Sequence, residues 1–130
     1  MPKKILVVDD DLLICDMLES LLKDEGFIIH KADGVATALD LVKSCDYDLL
    51  LIDKNMPGTY RSREGGIDLL EHVRAMSPCA KVIIMTGNPT AQSMVEAFEL
   101  GAFDYIEKPF SLTQLRKKIK NILANASDAF

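Results

Sequence analysis

Three aspartates, a threonine and a lysine in this chain fall where apolar runs stop. Asp9 and Asp10 follow Ile5-Leu6-Val7-Val8, Asp53 follows Leu49-Leu50-Leu51-Ile52, Thr86 follows Val82-Ile83-Ile84-Met85, and Lys108-Pro109 lies just past Phe103-Asp104-Tyr105-Ile106. If the runs are strands of a parallel sheet, all five residues gather at its carboxyl edge, where open α/β folds place their chemistry. Three carboxylates brought together repel one another by roughly 4 kcal/mol per pair at 4 Å and an effective dielectric near 20, so a cation must compensate. Lys108 is one candidate, and a hard divalent ion such as Mg²⁺, which takes oxygen ligands and keeps several waters, is another. A metal with open positions, a lysine and a carboxylate nucleophile equip a site for phosphoryl transfer: cations neutralise the phosphoryl oxygens while the carboxylate attacks in line. Thr86 adds a hydroxyl donor, and its neighbour Gly87 has no side chain to obstruct the approach.

Taken singly, most of these residues have plainer roles. An aspartate between a strand and a helix is a common N-cap, which covers Asp10 or Asp11. Thr86 alone would pass for a turn residue, and Lys108-Pro109 for a solvated lysine and a strand stop. Asp53 is harder to dismiss, because it closes what should be the central strand. Joint occurrence at one edge, in matching order, is what specifies a site.

The elements that must position them follow from periodicity. Continuous Val/Ile/Leu runs, rather than alternating ones, predict strands buried on both faces of a parallel sheet. Phe27 to His30 adds a further strand. Between the strands lie helical periods: Ile14, Leu18, Leu21 and Leu22, ended by Gly26; Val35, Ala38, Leu39 and Val42; Ile67, Leu70 and Val73; Ala91, Met94, Val95 and Phe98, ended by Gly101; and Leu112, Leu115, Ile119 and Ile122. Five β-then-α units with short connections predict a doubly wound α/β sandwich with helices on both faces. The one long connection, Pro57 to Gly66, is polar and bounded by glycine, and it leaves the sheet just after Asp53.

At 130 residues with 48% apolar composition the chain suits a single domain with one core. The reading places residues 1–125 in the domain and treats 126–130 as a tail or truncation point. Apolar runs are broken by charge well before a membrane helix could form, and Met1-Pro2-Lys3-Lys4 leads directly into a strand, so a cytoplasmic protein without membrane association is expected. Cys15, Cys45 and Cys79 are odd in number and lack Cys-x-x-Cys spacing, which argues against a disulfide framework or a zinc site and predicts buried or half-buried fillers. The net charge of −5 disfavours direct nucleic-acid binding by this domain. His30 and His72 stand alone and carry no chemistry.

Over practically its whole length the chain resembles the receiver domains of two-component response regulators. The resemblance rests on Lys4-Ile5-Leu6-Val7-Val8-Asp9-Asp10, Asp53-Lys54-Asn55-Met56-Pro57-Gly58, Met85-Thr86-Gly87 and Glu107-Lys108-Pro109-Phe110. It implies a flavodoxin-like, doubly wound, five-stranded parallel sheet of order 2-1-3-4-5 with five helices on two faces. It also implies a phosphorylation-activated switch rather than a conventional enzyme, catalysing only its own phosphoryl transfer and dephosphorylation. Asp53 would accept the phosphoryl group from a sensor histidine kinase or phosphotransfer protein, with Mg²⁺ held directly by Asp10 and Asp53, through water by Asp9, and by the backbone carbonyl of Asn55. Lys108 would pair with the phosphoryl group, Thr86 would turn inward to bond it, and Tyr105 would be the aromatic switch that moves with Thr86. Lys108 and Pro109 would be joined by a cis peptide bond, a geometry that only proline makes cheap. The stretch Val95 to Phe110 looks most like receivers attached to enhancer-binding transcription activators, with an output domain or partner protein as recipient of the signal; a stand-alone receiver is equally compatible.

One departure concerns the long loop: Gly66, which matches the glycine opening the third helix, comes about five residues late, in a place where extra length costs little. A tolerated surface insertion explains this; an effect of Tyr60, Arg61 and Arg63 on kinase or phosphatase access is the sharper alternative. Lys117, Lys118 and Lys120 flank the apolar stripe of the last helix, either as a solvated basic face or as part of a homodimer or partner surface. Three other functions compete. A flavin binder would need a Ser/Thr/Gly-rich phosphate loop where this chain has Asp9-Asp10-Asp11. An aspartate-dependent phosphohydrolase would usually carry an aspartate at the position of Asn55. A receiver working without phosphorylation would not need the full acidic, threonine and lysine set.

Overall fold

The apolar runs form five strands, and the alternation of side chains along each strand divides the interior in two. The computed structural model describes residues 2–56 and 65–127. Strands β1 (Lys4–Val8), β2 (Ile28–Ala32), β3 (Leu49–Asp53), β4 (Lys81–Thr86) and β5 (Asp104–Glu107) pair in parallel in the order β2-β1-β3-β4-β5, as expected. Helices α1 (Leu12–Lys23), α2 (Val35–Ser44), α3 (Gly65–Met76), α4 (Ala91–Glu99) and α5 (Leu112–Ser127) alternate with them. Ile5, Val7, Leu49, Leu51, Ile83 and Met85 face α1 and α5, meeting Cys15, Leu18, Leu22, Leu115 and Ile119. Leu6, Val8, Leu50, Ile52, Val82 and Ile84 face the other way, toward residues of α2, α3 and α4. Each of these strand side chains is fully buried, which stabilises the fold by about 1.5–3 kcal/mol apiece.

Burial on both faces holds for β1, β3 and β4 but not for the edges. Ile28 and Lys31 of β2 and Glu107 of β5 are exposed. Strand limits also differ from the apolar runs: β2 extends to Ala32, β4 gains Lys81 and Thr86, and β5 begins at Asp104 and includes Glu107. Pairing continues where apolarity stops, since Asp53 is in register with Met85, and Thr86 with Glu107. Asp53 and Thr86 are therefore the last rungs of the ladder, while Asp9, Asp10 and Lys108 lie just beyond it.

Local signals set the helix ends. Asp11 caps α1 by accepting from the Leu13 N–H at 3.0 Å, which leaves Asp10 without that structural duty. Gly26 closes the same unit at φ +87°, a conformation that costs an L side chain and suits glycine. The expected face of α4 is a correction: Met94, Val95 and Phe98 are 40–55% exposed, and Ala91 is exposed too, while the buried residues are Ser93 and Ala97. Small side chains let α4 lie close to the sheet, and the larger ones face outward. Cys79 is a second correction, because it is exposed in the turn before β4, whereas Cys15 is buried and Cys45 half-buried. No helix among the described residues is long and apolar enough to cross a membrane. Residues 57–64, and with them Tyr60, Arg61 and Arg63, lie outside the described residues. The Gly65 N–H donates to the Met56 carbonyl at 2.9 Å, joining the two ends of that segment.

Candidate functional site

Parallel pairing brings the ends of β1, β3, β4 and β5 side by side, and each end contributes polar groups, β1 two of them. Asp9, directly after β1, is wholly buried. Its Oδ1 accepts from the Asp11 N–H at 2.9 Å, and its Oδ2 accepts from Lys108 Nζ at 2.7 Å. Asp53, the last residue of β3, is 7% exposed, with Oδ1 3.4 Å from Lys108 Nζ and accepting from the Asn55 N–H at 3.4 Å. Asp10 is exposed, and Asp9, Asp10 and Asp53 each present one carboxylate oxygen such that all lie within 4.8 Å of one another. Lys108 reaches this cluster from beyond β5. Its backbone N–H donates to the Thr86 carbonyl at 2.7 Å, and its bond to Pro109 is cis, as expected.

Thr86 ends β4 with no solvent exposure; its Oγ1 donates to Asn55 Oδ1 at 3.1 Å and accepts from the Asn88 N–H at 3.1 Å. The side chain of Asn55 therefore links the Asp53 turn to Thr86, a contact not anticipated from a residue singled out for its backbone carbonyl. Tyr105 is buried, and its hydroxyl lies 2.8 Å from Ser93 Oγ. Ser93 escaped the sequence reading. The signal was present in Thr90-Ala91-Gln92-Ser93, a capping-box spacing ahead of a helix.

Charge is unevenly balanced. Burial, then the neighbouring Asp9 charge, holds the Asp53 carboxyl above its ordinary pKa, while Lys108 and the Asn55 N–H pull the other way. For Lys108 burial works against the ammonium, but its bond to Asp9 and the charges of Asp53 and Asp9 prevail and raise its pKa. The three carboxylates gathered around the Lys108 ammonium can take a further cation, and the donor set is entirely oxygen, which suits a hard ion rather than a soft metal. The gathered residues can thus hold a hard cation, offer a buried carboxylate nucleophile, and place an ammonium and a hydroxyl around whatever joins it.

Elsewhere the expectations fare differently. The His30 ring lies edge-on to Tyr47, its Nδ1 2.7 Å from the Tyr47 hydroxyl, so it has a packing role. Two lysines of the last helix are engaged within the chain, Lys118 with Asp104 at 2.7 Å and Lys120 with Glu25 at 3.0 Å.

A family model described as response regulator receiver domain matches residues 5–120. The transcriptional regulatory protein ZraR of Escherichia coli K12 is 35% identical over 121 residues, which are 93% of this chain and 26% of ZraR. The chain spans about a quarter to a half of the length of the curated relatives it matches. Among solved structures, a receiver domain protein from Methanospirillum hungatei JF-1 is 31% identical with a TM-score of 0.90, covering all of both chains. The receiver domain of NtrX from Brucella abortus is 32% identical with a TM-score of 0.82, covering 92% of this chain and 98% of that one.

Proposed function

Because the chain belongs to the response regulator receiver domain family, we propose that Asp53 is its phosphoryl acceptor and that residues 1–125 form the switch unit. The observation that carries this reading is the position of Lys108 Nζ, 2.7 Å from Asp9 and 3.4 Å from Asp53, within a three-carboxylate cluster at the sheet edge. Asp10 and Asp53 would hold Mg²⁺ directly, with Asp9 through water and the Asn55 carbonyl as a further ligand. Once bound, the ion neutralises charge on the phosphoryl oxygens.

The chain's own residues supply the rest. An Asp53 carboxylate oxygen attacks the phosphorus of a phosphohistidine on a sensor histidine kinase or phosphotransfer protein. A P–O bond forms, the P–N bond breaks, and the imidazole nitrogen leaves with the electron pair and takes up a proton. Burial of Asp53 removes the water that would otherwise blunt its approach. Lys108 moves its ammonium from the carboxylate pair to a phosphoryl oxygen, and Thr86 exchanges its bond to Asn55 for one to another phosphoryl oxygen. The modification adds about −1.5 to −2 charge, which those donors offset. Hydrolysis of the acyl phosphate by water resets the switch, so the only reactions catalysed are on Asp53 itself.

Tyr105 follows Thr86, and the two arrangements differ in affinity for an output domain or partner protein by about 1–3 kcal/mol, the usual size of such couplings. The relatives named as transcriptional regulators support transcription as the output, and a cytoplasmic setting is part of the same reading. A homodimer through the last helix region is part of the reading, and direct DNA contact by this acidic domain is not.

Intact mass after incubation with Mg²⁺ and acetyl phosphate tests the reading. One phosphate adduct, absent with a chelator and absent in Asp53→Asn, is expected. An adduct that survives in Asp53→Asn would place the acceptor elsewhere.

A further inference from the structure

Thr90-x-x-Ser93 opens α4 with a reciprocal cap. Thr90 Oγ1 accepts from the Ser93 N–H at 3.0 Å, and Ser93 Oγ accepts from the Thr90 N–H at 3.1 Å. The Ser93 hydroxyl also lies 3.1 Å from the Thr90 carbonyl and 2.8 Å from the Tyr105 hydroxyl. A serine hydroxyl has one proton and two lone pairs. All three contacts are hydrogen bonds at once in a single assignment: Ser93 donates to the Thr90 carbonyl and accepts from the Thr90 N–H and from Tyr105. Tyr105 is then the donor, and its hydroxyl is tied to the atom that completes the α4 cap.

The serine's size matters as much as its polarity. Ser93 and Ala97 are the buried residues of α4, and a larger side chain at 93 would lift the helix from the β5 strand that carries Tyr105. The β4–α4 connection is anchored at its other end by Thr86, whose Oγ1 accepts from Asn88. Thr86 and Tyr105 thus grip opposite ends of the same short segment.

We infer that Ser93 is a positioning residue for the switch: its hydroxyl makes the Tyr105 ring and the first turn of α4 one unit, so that neither changes place without the other. Through it, a movement of Tyr105 reaches the outward face of α4 with Met94, Val95 and Phe98. The signalling part of this inference rests on the reading of Tyr105 as the switch residue; the coupling itself does not require phosphorylation.

Amide hydrogen exchange in the first turn of α4, at Ser93 and Met94, whose N–H groups bond to Thr90, tests the coupling in the full chain without a phosphodonor. Tyr105→Phe removes only a hydroxyl on a different element, yet exchange at these amides should rise about fivefold, the factor that loss of one ordinary hydrogen bond carries. Ser93→Ala should raise it at least as much, and the double variant should exceed Ser93→Ala by less than twofold. Unchanged α4 exchange in Tyr105→Phe, or simple additivity in the double variant, would overturn the inference and leave Ser93 as a helix cap only. With Mg²⁺ and beryllofluoride added, Ser93→Ala should lose the exchange response of α4 while taking up the acetyl phosphate adduct at the wild-type rate. If the wild type takes no adduct, the phosphorylation reading fails, and the exchange cycle still decides the coupling.

Discussion

Gly66 presses against the main chain of Asp53. A Cβ built on Gly66 would collide with the Asp53 carbonyl oxygen and lie 2.5 Å from Lys54 Cα and 2.8 Å from the Asp53 carbonyl carbon. Backbone atoms at the end of a central strand cannot rotate aside, so Gly66→Ala must push the start of α3 off β3. Overpacking of this kind costs about 1–3 kcal/mol, and the upper end is expected here because no flexible neighbour can yield. Urea unfolding would measure it, and a loss below about 0.5 kcal/mol would mean that α3 shifts freely. The same variant should take up phosphate from acetyl phosphate more slowly, since the displaced main chain belongs to the proposed acceptor, Asp53.

Asp53→Asn should stabilise the metal-free protein at neutral pH. Asp53 is 7% exposed, shares its lysine with Asp9, and has its pKa raised by burial and by that neighbour. A carboxyl with a raised folded-state pKa contributes stability below its ordinary pKa and loses it as the pH rises through the folded value, so at neutral pH its ionisation opposes folding. Asparagine removes the charge and keeps the shape. Thermal melts in chelator should show a higher Tm for the variant, and added Mg²⁺ should raise the wild-type Tm more than the variant's. A variant melting below the wild type in chelator would count against the electrostatic account of the cluster.

The sheet and the five-residue edge were legible because parallel strands buried on both faces leave unbroken apolar runs, and the residue ending each run is fixed by the register. Asp9, Asp53, Thr86 and Lys108 needed nothing further. Ser93 was hidden for the opposite reason: on a short helix with five apolar residues on several faces, periodicity pointed to Met94, Val95 and Phe98, whereas the sheet accepted only the small side of α4. A polar residue chosen to meet a hydroxyl from another strand leaves no periodic trace. The Asn55–Thr86 bond was likewise illegible, because it depends on how the turn after β3 aims a side chain across to β4.

Tyr47 gives the clearest pH dependence away from the site. It is buried against His30, and burial, followed by the influence of Cys45, pushes its phenol up to about 12. A raised folded-state pKa means stability fully present below the ordinary value near 10 and lost as the pH rises toward the folded value. Stability should therefore fall between about pH 10 and 12, and Tyr47→Phe should flatten that fall. Ultraviolet titration of tyrosinate, with Tyr47→Phe as the assignment, checks it. A Tyr47 signal titrating near 10 in the folded protein would sink the prediction.

Lys108 is the sole side-chain cation that Asp9 contacts among the described residues, so its removal is informative about both stability and the ion. The Asp9 side chain is 1% exposed and the Lys108 side chain 18%. Breaking a buried pair from one side costs about 3–5 kcal/mol because a charge is left without its partner; partial exposure of Lys108 places the expected loss for Lys108→Met at about 3 kcal/mol. Methionine fills the space of the lysine stem, so the loss reports charge rather than a cavity. The remaining carboxylates then repel without the Lys108 charge between them, and Mg²⁺ should raise the variant's Tm by more than it raises that of the wild type. Adduct formation from acetyl phosphate should nonetheless fall, since an ion among the carboxylates does not replace the Lys108 ammonium beside Asp53. Equal Mg²⁺ responses in the two proteins, together with a stability loss below about 0.5 kcal/mol, would show that the Lys108–Asp9 contact carries no compensation.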